Sequence, residues 1–309
     1  MRRIFKTIED HLTECTTLEK GVWVHLQSPT KEEVDGLTTR FNLDPTFLPA
    51  ALDEEESARI DYDSDKQQTL IIVDIPYVDT EGTGYVYSTI PLGIVLCDEV
   101  IITVCTRDTP IINDFTEERI RNFWTFKRTR FILQILQRNA GRFLSYLKQI
   151  DKTSQHIQEK LEHTSRNQEL LQMMKLEKSL VYFNTSLRGN EVLISRLRHV
   201  FTDGFDLDLL EDVEIELKQA LNTVNIYTEI LAGTLDTYAS VISNNVNMIM
   251  KRMTGTTIIL MIPTLIASFY GMNVSIGLAD VPGAFWIIVA TAALLTLVTY
   301  LLLKHLKWF

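Results

Sequence analysis

Charge is missing from the end of this chain. No residue from Met253 to Ala279 is charged, none from Val281 to Leu303 is, and Asp280 alone separates the two stretches. A helix that crosses a bilayer needs about 20 apolar residues, so each stretch is long enough to cross once. Cysteine is scarce as well: Cys15, Cys97 and Cys105 form no C-x-x-C pair, which argues against a disulfide framework and suits a reducing cytosol. Met1 to Glu14 lacks the apolar core of a signal peptide. No P-loop, H-E-x-x-H, G-x-S-x-G or paired catalytic cysteine and histidine is present, so no enzyme is expected.

The 309 residues are 46% hydrophobic and 23% charged, and the mean hydropathy of +0.04 is near that of a soluble protein. Apolarity is therefore concentrated at the end of the chain. The formal net charge is −10, a balance that argues against a nucleic-acid partner and suits attraction of cations. Lys251 and Arg252 precede the first apolar stretch, Lys304 and Lys307 follow the second, and the connecting loop has no Lys or Arg. The positive-inside rule then predicts a multi-pass protein of the plasma membrane with both termini in the cytoplasm.

Residues 1–115 read as an α/β domain, a mixed sheet flanked by short helices. Gly21 to Leu26, Thr69 to Ile75, Tyr85 to Cys97 and Val100 to Thr106 are strand-like, with turn signals at Asp79 to Gly82 and Asp98-Glu99. Ser28-Pro29 offers a helix N-cap with proline behind it, and Asp44-Pro45 repeats the device before Phe47 to Leu52. Residues 116–204 hold no proline, and their apolar residues recur at helical spacing. They predict two long helices joined near His163 to Asn167, with a break at Phe201 to Phe205. Residues 205–273 predict a stalk helix that runs on into a first membrane helix, about 100 Å at 1.5 Å per residue. Residues 274–283 form an outer loop, and 284–309 a second membrane helix with a basic C-terminus.

One face of the first membrane helix is polar. Asn247, Met250, Thr254, Thr257, Met261, Thr264 and Ser268 alternate by three and four residues, the spacing of a bundle seam. Ile258, Ile259, Leu260, Ile262, Leu265 and Ile266 form the lipid or packing side. Hydroxyls and amides along one side of a membrane helix either hold helices together or line a watery path. Asn247 below the stripe and Asn273 beyond it favour the path. Two helices per chain cannot enclose a pore, so this reading requires a closed ring of copies.

Tyr270-Gly271-Met272-Asn273 follows the first apolar stretch, ahead of a short loop, a final span and a basic end. In this setting the chain resembles the CorA family of divalent-cation transporters. The resemblance implies a homopentameric funnel that admits Mg²⁺, with Co²⁺ and Ni²⁺ as further substrates. It implies selectivity at Gly271, Met272 and Asn273, an inner entrance at Asn247, and a hydrophobic gate that includes Met261, with Thr264 above it. Met253 stands where the family often has a bulky aliphatic gate residue. The resemblance also implies a regulatory Mg²⁺ site between neighbouring copies. Asp212 matches its stalk ligand by count, and Asp79 is the candidate from the sheet domain. Two departures thin the charge at the pore mouths. The outer loop has a single acid, Asp280, with Ser275 where many relatives carry one, and the C-terminus has only Lys304 and Lys307.

Asp206 to Glu216 carries six acids and no base. It reads as a solvated helix start favoured by the helix dipole, or as a cluster that cytosolic Mg²⁺ neutralises. His156 and His163 share a helical face and read as solvated or packed. Two other functions fit the architecture: a Zn²⁺ transporter of the same superfamily, against which Met272 argues, and a scaffold or signalling protein anchored by a hairpin, which would not need the polar stripe.

Overall fold

The computed structural model describes residues 1–79, 86–97, 100–163, 167–200, 206–273, 277, 282–306 and 308. They cluster into two compact units, Met1–Gly233 and Thr234–Phe309.

The first unit is built on one mixed sheet. Its strands are β1 (Arg2–Ile8), β2 (His11–Glu14), β3 (Trp23–Gln27), β4 (Arg59–Asp63), β5 (Gln68–Asp79), β6 (Val86–Leu96) and β7 (Ile101–Cys105). They lie in the order β2-β1-β3-β7-β6-β5-β4. Only the β3–β7 pair is parallel. Consecutive residues Gln68 to Val73 are all buried, as expected of a strand covered on both faces. One face is packed by α1 (Lys31–Arg40) and α2 (Phe47–Ala50), where Leu37 and Leu48 meet Val24, Leu70, Ile72 and Val104. On the other, Trp23 meets Phe115 of α3 (Pro110–Thr116) and Phe131 of α4 (Arg128–His163), and α5 (Asn167–Val200) packs over β5 and β6. Thr103 Oγ1 accepts from Trp23 Nε1 at 2.8 Å and lies 2.9 Å from His25 Nδ1. Burial pushes the His25 imidazole down to about 4, so this polar trio is uncharged at neutral pH.

The expected strands of the domain interior are present; Tyr85, the Asp79 to Gly82 turn beyond Asp79, and Asp98-Glu99 lie outside the described residues. Three edge-side strands, β1, β2 and β4, are found where charge interrupts the apolar pattern: Arg2, Arg3 and Lys6, or Arg59, Asp61 and Asp63. On β4, an edge of the sheet, such charges discourage pairing with other chains, whereas β1 is paired on both sides, by β2 and β3. Glu9 and Asp10, both with positive φ (49° and 67°), make the two-residue turn between β1 and β2.

The Ser28-Pro29 cap does not form. Ser28 has φ of 44° and donates its hydroxyl to the Thr106 carbonyl. The cap of α1 is Thr30, in a capping box with Glu33. This arrangement satisfies two backbone N–H groups where Ser28 would satisfy one. The Asp44-Pro45 cap does not form either: the N-cap of α2 is Thr46, with no side-chain cap bond, while Asp44 accepts from the Thr46 N–H at 2.8 Å in the turn before it, and α2 is a single turn. The long helical part begins at Arg128 rather than 116. Residues 117–127 contain neither helix nor strand, and Glu118 and Asn122 adopt left-handed backbone, which a helix excludes.

α4 and α5 stand where two long helices are expected; the break at Phe201 to Phe205 lies outside the described residues. α6 (Leu207–Tyr270) begins at the Asp206 cap, which accepts from the Leu209 N–H at 3.2 Å, and its residues belong to both units. α7 (Ala284–His305) follows. α6 and α7 are the two helices long and apolar enough to cross a membrane among the described residues.

Candidate ion pathway

Between α6 and α7 lies an apolar groove lined by Ile259, Pro263, Ile266, Ala293, Thr296 and Tyr300 among others. Gly255 is buried on the same side of α6. With 3.6 residues per turn, the stripe from Met250 to Ser268 falls on roughly the opposite side of the helix. Asn247, Met250, Met253, Thr254, Thr257, Met261, Thr264 and Ser268 are all exposed. The two thioethers at the expected gate, Met253 and Met261, are 63% and 61% accessible. Thus the isolated hairpin covers one side of α6 with α7 and leaves the polar side bare. Leu260 and Leu265, expected to share the packing side with the isoleucines, stand exposed on its flanks.

The threonines have a defined hydrogen-bond polarity. Thr257 Oγ1 donates to the Met253 carbonyl and Thr264 Oγ1 to the Leu260 carbonyl, each at 2.9 Å. Each hydroxyl proton is therefore used within the helix, while the oxygen keeps acceptor capacity. The water protons of a hydrated cation need acceptors of this kind. Pro263 has no N–H, so the Ile259 carbonyl lacks its usual partner one turn on.

α6 ends at the tetrapeptide. The Gly271 N–H donates to the Ala267 carbonyl at 2.9 Å, and a Cβ on Gly271 would sit 3.2 Å from that same oxygen. Glycine thus lets the chain close against the last helical turn. Met272 and Asn273 are exposed just beyond it.

The acidic run divides. Asp206 caps α6 and pairs with Arg130, Glu214 lies 3.6 Å from Arg198, and Glu216 accepts from Gln137 of α4 at 3.4 Å. Burial pushes the Glu216 carboxyl up, and Asp212 one turn away adds to the shift. Asp208, Glu211 and Asp212 are exposed. Asp79 closes β5 opposite Val86 and lines a cavity of about 820 Å³ with Asp74, Tyr77 and Arg107. Among the described residues of one chain, nothing brings Asp79 and Asp212 together, and no group of three or more His, Cys, Asp or Glu is arranged to hold a metal. His156 lies 3.7 Å from Glu159 on the surface of α4.

Two notable residues escaped sequence reasoning. Asp74 is a carboxylate inside a buried strand, pushed up to about 6 by burial, with a Ser186 hydrogen bond as partial relief. A lone acid in the run Leu70 to Ile75 is its visible signal. Gly93 of β6 is pressed by Ala51, the residue that follows α2, and only the unexplained glycine inside a strand run hints at it.

The profile of the CorA-like Mg²⁺ transporter protein family matches residues 19–305. The chain belongs to the CorA family. The cobalt/magnesium transport protein CorA of Methanocaldococcus jannaschii is 25% identical over 300 residues, 93% of this chain and 91% of that protein. The magnesium transport protein CorA of Wolinella succinogenes is 24% identical over 331 aligned positions, covering 100% and 96%. The complete structure of the M. jannaschii CorA magnesium transporter superposes with a TM-score of 0.85 at 21% identity, covering 100% of this chain and 99% of that one. The cytoplasmic domain of ZntB from Vibrio parahaemolyticus gives 0.61 at 12% identity, covering 79% and 97%. The mixed sheet, long helix and two apolar C-terminal helices are therefore the CorA fold.

Proposed function

We propose that the chain is a passive Mg²⁺ uptake channel, driven by the membrane potential and assembled as a closed ring of five copies. The observation that carries this reading is the bare face of α6. It presents Asn247, thioethers and threonine oxygens away from α7 and leads to Gly271-Met272-Asn273. Five such faces, turned inward, make a lumen. Relatives named as cobalt/magnesium and magnesium transport proteins support a divalent cargo.

Mg²⁺ holds its waters tightly and prefers an octahedral oxygen shell. A ring of Asn273 amides binds the hydrated ion without stripping it, whereas a ring of carboxylates would release it slowly. No carboxylate lies between Arg252 and Asp280. Met253 and Met261 are poor Mg²⁺ ligands and act as a hydrophobic constriction that closes by dewetting. Two charges crossing the membrane gain about 4.6 kcal/mol per 100 mV, so influx needs no ATP. In this reading residues 1–115 and 116–204 form the cytoplasmic body, 205–273 the stalk and pore helix, and both termini are cytoplasmic. Cytosolic Mg²⁺ bound between Asp212 of one copy and Asp79 of the next holds the channel closed.

The test is ion influx into proteoliposomes under an inside-negative potential, with Mg²⁺, Co²⁺, Ni²⁺ and Zn²⁺ compared. Mg²⁺ influx that grows with the potential supports the reading. Zn²⁺ flux without Mg²⁺ flux would make the chain a zinc transporter, and no flux of any cation would leave the anchored scaffold.

A further inference from the structure

The groove between α6 and α7 is not used by the ion pathway, which lies on the other side of α6. Its volume is about 700 Å³. Its lining is mostly aliphatic, with Thr296, whose hydroxyl donates to the Ala292 carbonyl at 2.7 Å, and Tyr300 as its polar members. One end is basic. Arg252 precedes Ile259 by two helical turns and Lys304 follows Tyr300 by one, a spacing that puts both on the faces that line the groove. Both are exposed. From Thr237 to the C-terminus the sequence holds four bases and one acid, Asp280, within a chain of net charge −10. Asp280 follows the far end of the first apolar stretch, so Arg252 and Lys304 have no carboxylate beside them in sequence. The other end of the groove has no cation, because no Lys or Arg occurs between Met253 and Leu303.

The α7 lining runs from Ile288 to Tyr300, about 18 Å at 1.5 Å per residue. This length is nearer to one leaflet, about 15 Å, than to the ~30 Å hydrocarbon core. A membrane helix from a second copy would want a seam along the whole core. An apolar tail of leaflet length with a negative head at one end matches both the length and the charge.

We propose that the α6–α7 groove holds an anionic phospholipid, its acyl chain along Ile259, Pro263, Ala293 and Thr296 and its phosphate between Arg252 and Lys304. Basic residues at the membrane surface and between membrane helices attract anionic headgroups. The inference rests on the reading that α6 and α7 cross a bilayer.

The test reconstitutes the full chain in vesicles of phosphatidylcholine and phosphatidylglycerol in equal parts, re-extracts it in mild detergent, and counts retained lipids by native mass spectrometry. The wild type is expected to retain phosphatidylglycerol in excess over phosphatidylcholine. Arg252→Gln with Lys304→Gln should lower that excess on the order of fivefold for each charge removed. Arg252→Lys with Lys304→Arg should keep it, and Ala293→Trp, which fills the groove, should release both lipids. Equal retention of the two lipids by the wild type, or an unchanged excess in the double glutamine variant, would overturn the proposal. So would a disulfide between copies carrying Ala293→Cys, which would place a second chain in the groove. Alkaline carbonate separates the two readings. A chain that stays in the vesicles yet shows no phosphatidylglycerol excess refutes the lipid site alone, whereas a chain that washes out refutes the membrane spans and the site with them.

Discussion

Thr257 gives its hydroxyl proton to the Met253 carbonyl, 2.9 Å away and one turn back along α6. The oxygen that remains is an acceptor on the bare face of the helix. Thr257→Val keeps the shape and removes this acceptor, while Thr257→Ser keeps it. With a hydrogen bond contributing about 1 kcal/mol net, the valine variant should lose Mg²⁺ influx by about fivefold or more and the serine variant should stay near wild type. Equal influx in all three would make the stripe a packing seam.

Asp212 is exposed, next to the partly buried Glu216. If Mg²⁺ between copies favours the closed state, Asp212→Ala removes one ligand without supplying a substitute charge. A ligand shifts a two-state equilibrium only through differential affinity, so the effect must appear in the Mg²⁺ dependence. Titrated protection from protease should move to higher Mg²⁺ in the variant. Superimposable curves would leave the acidic run as a solvated helix start.

At Gly93 an added Cβ would lie 2.2 Å from the Ala51 Cβ and 2.8 Å from Val104 Cγ1. Overpacking of this kind costs about 1–3 kcal/mol. Gly93→Ala should lower the denaturation midpoint of the unit Met1–Gly233, and Ala51→Gly in the same chain should restore part of the loss, since contacting residues couple. Additive losses would mean that the contact is relieved elsewhere.

Asp74 titrates near 6 in the folded chain, against 3.8 for a free side chain. Its protonated form is the one that folding favours. That stability is whole below about 3.8 and is lost as pH rises through 6. Asp74→Asn removes the dependence, so it should stabilise the chain on the order of 2 kcal/mol at pH 8 and little at pH 4. Denaturant midpoints of the two proteins at both pH values make the comparison, and a variant equally or less stable at pH 8 would refute it.

The sequence made the interior strands, the long helices and the membrane hairpin legible, because each carries a sustained period or an uninterrupted apolar run. β1, β2 and β4 were hidden because charged and polar residues break their apolar alternation, and the 117–127 segment by the lack of proline or glycine to mark its left-handed turns. At the site, the three-four alternation from Asn247 to Ser268 was readable, since a helix converts spacing into a face. Which way that face points needed α7 and the groove residues Pro263 and Ala293. Asp212 and Asp79 are legible only through family likeness, because the site proposed for them lies between copies and the described residues of one chain do not bring them together.

The central claim is that the tetrapeptide at the end of α6 selects the ion. Its most direct test is Mg²⁺ influx into proteoliposomes by Asn273→Ala beside the wild type, with native mass measured on both. The account predicts that influx is abolished while both proteins keep the mass of five chains. Influx at the wild-type rate from an intact Asn273→Ala assembly would contradict it.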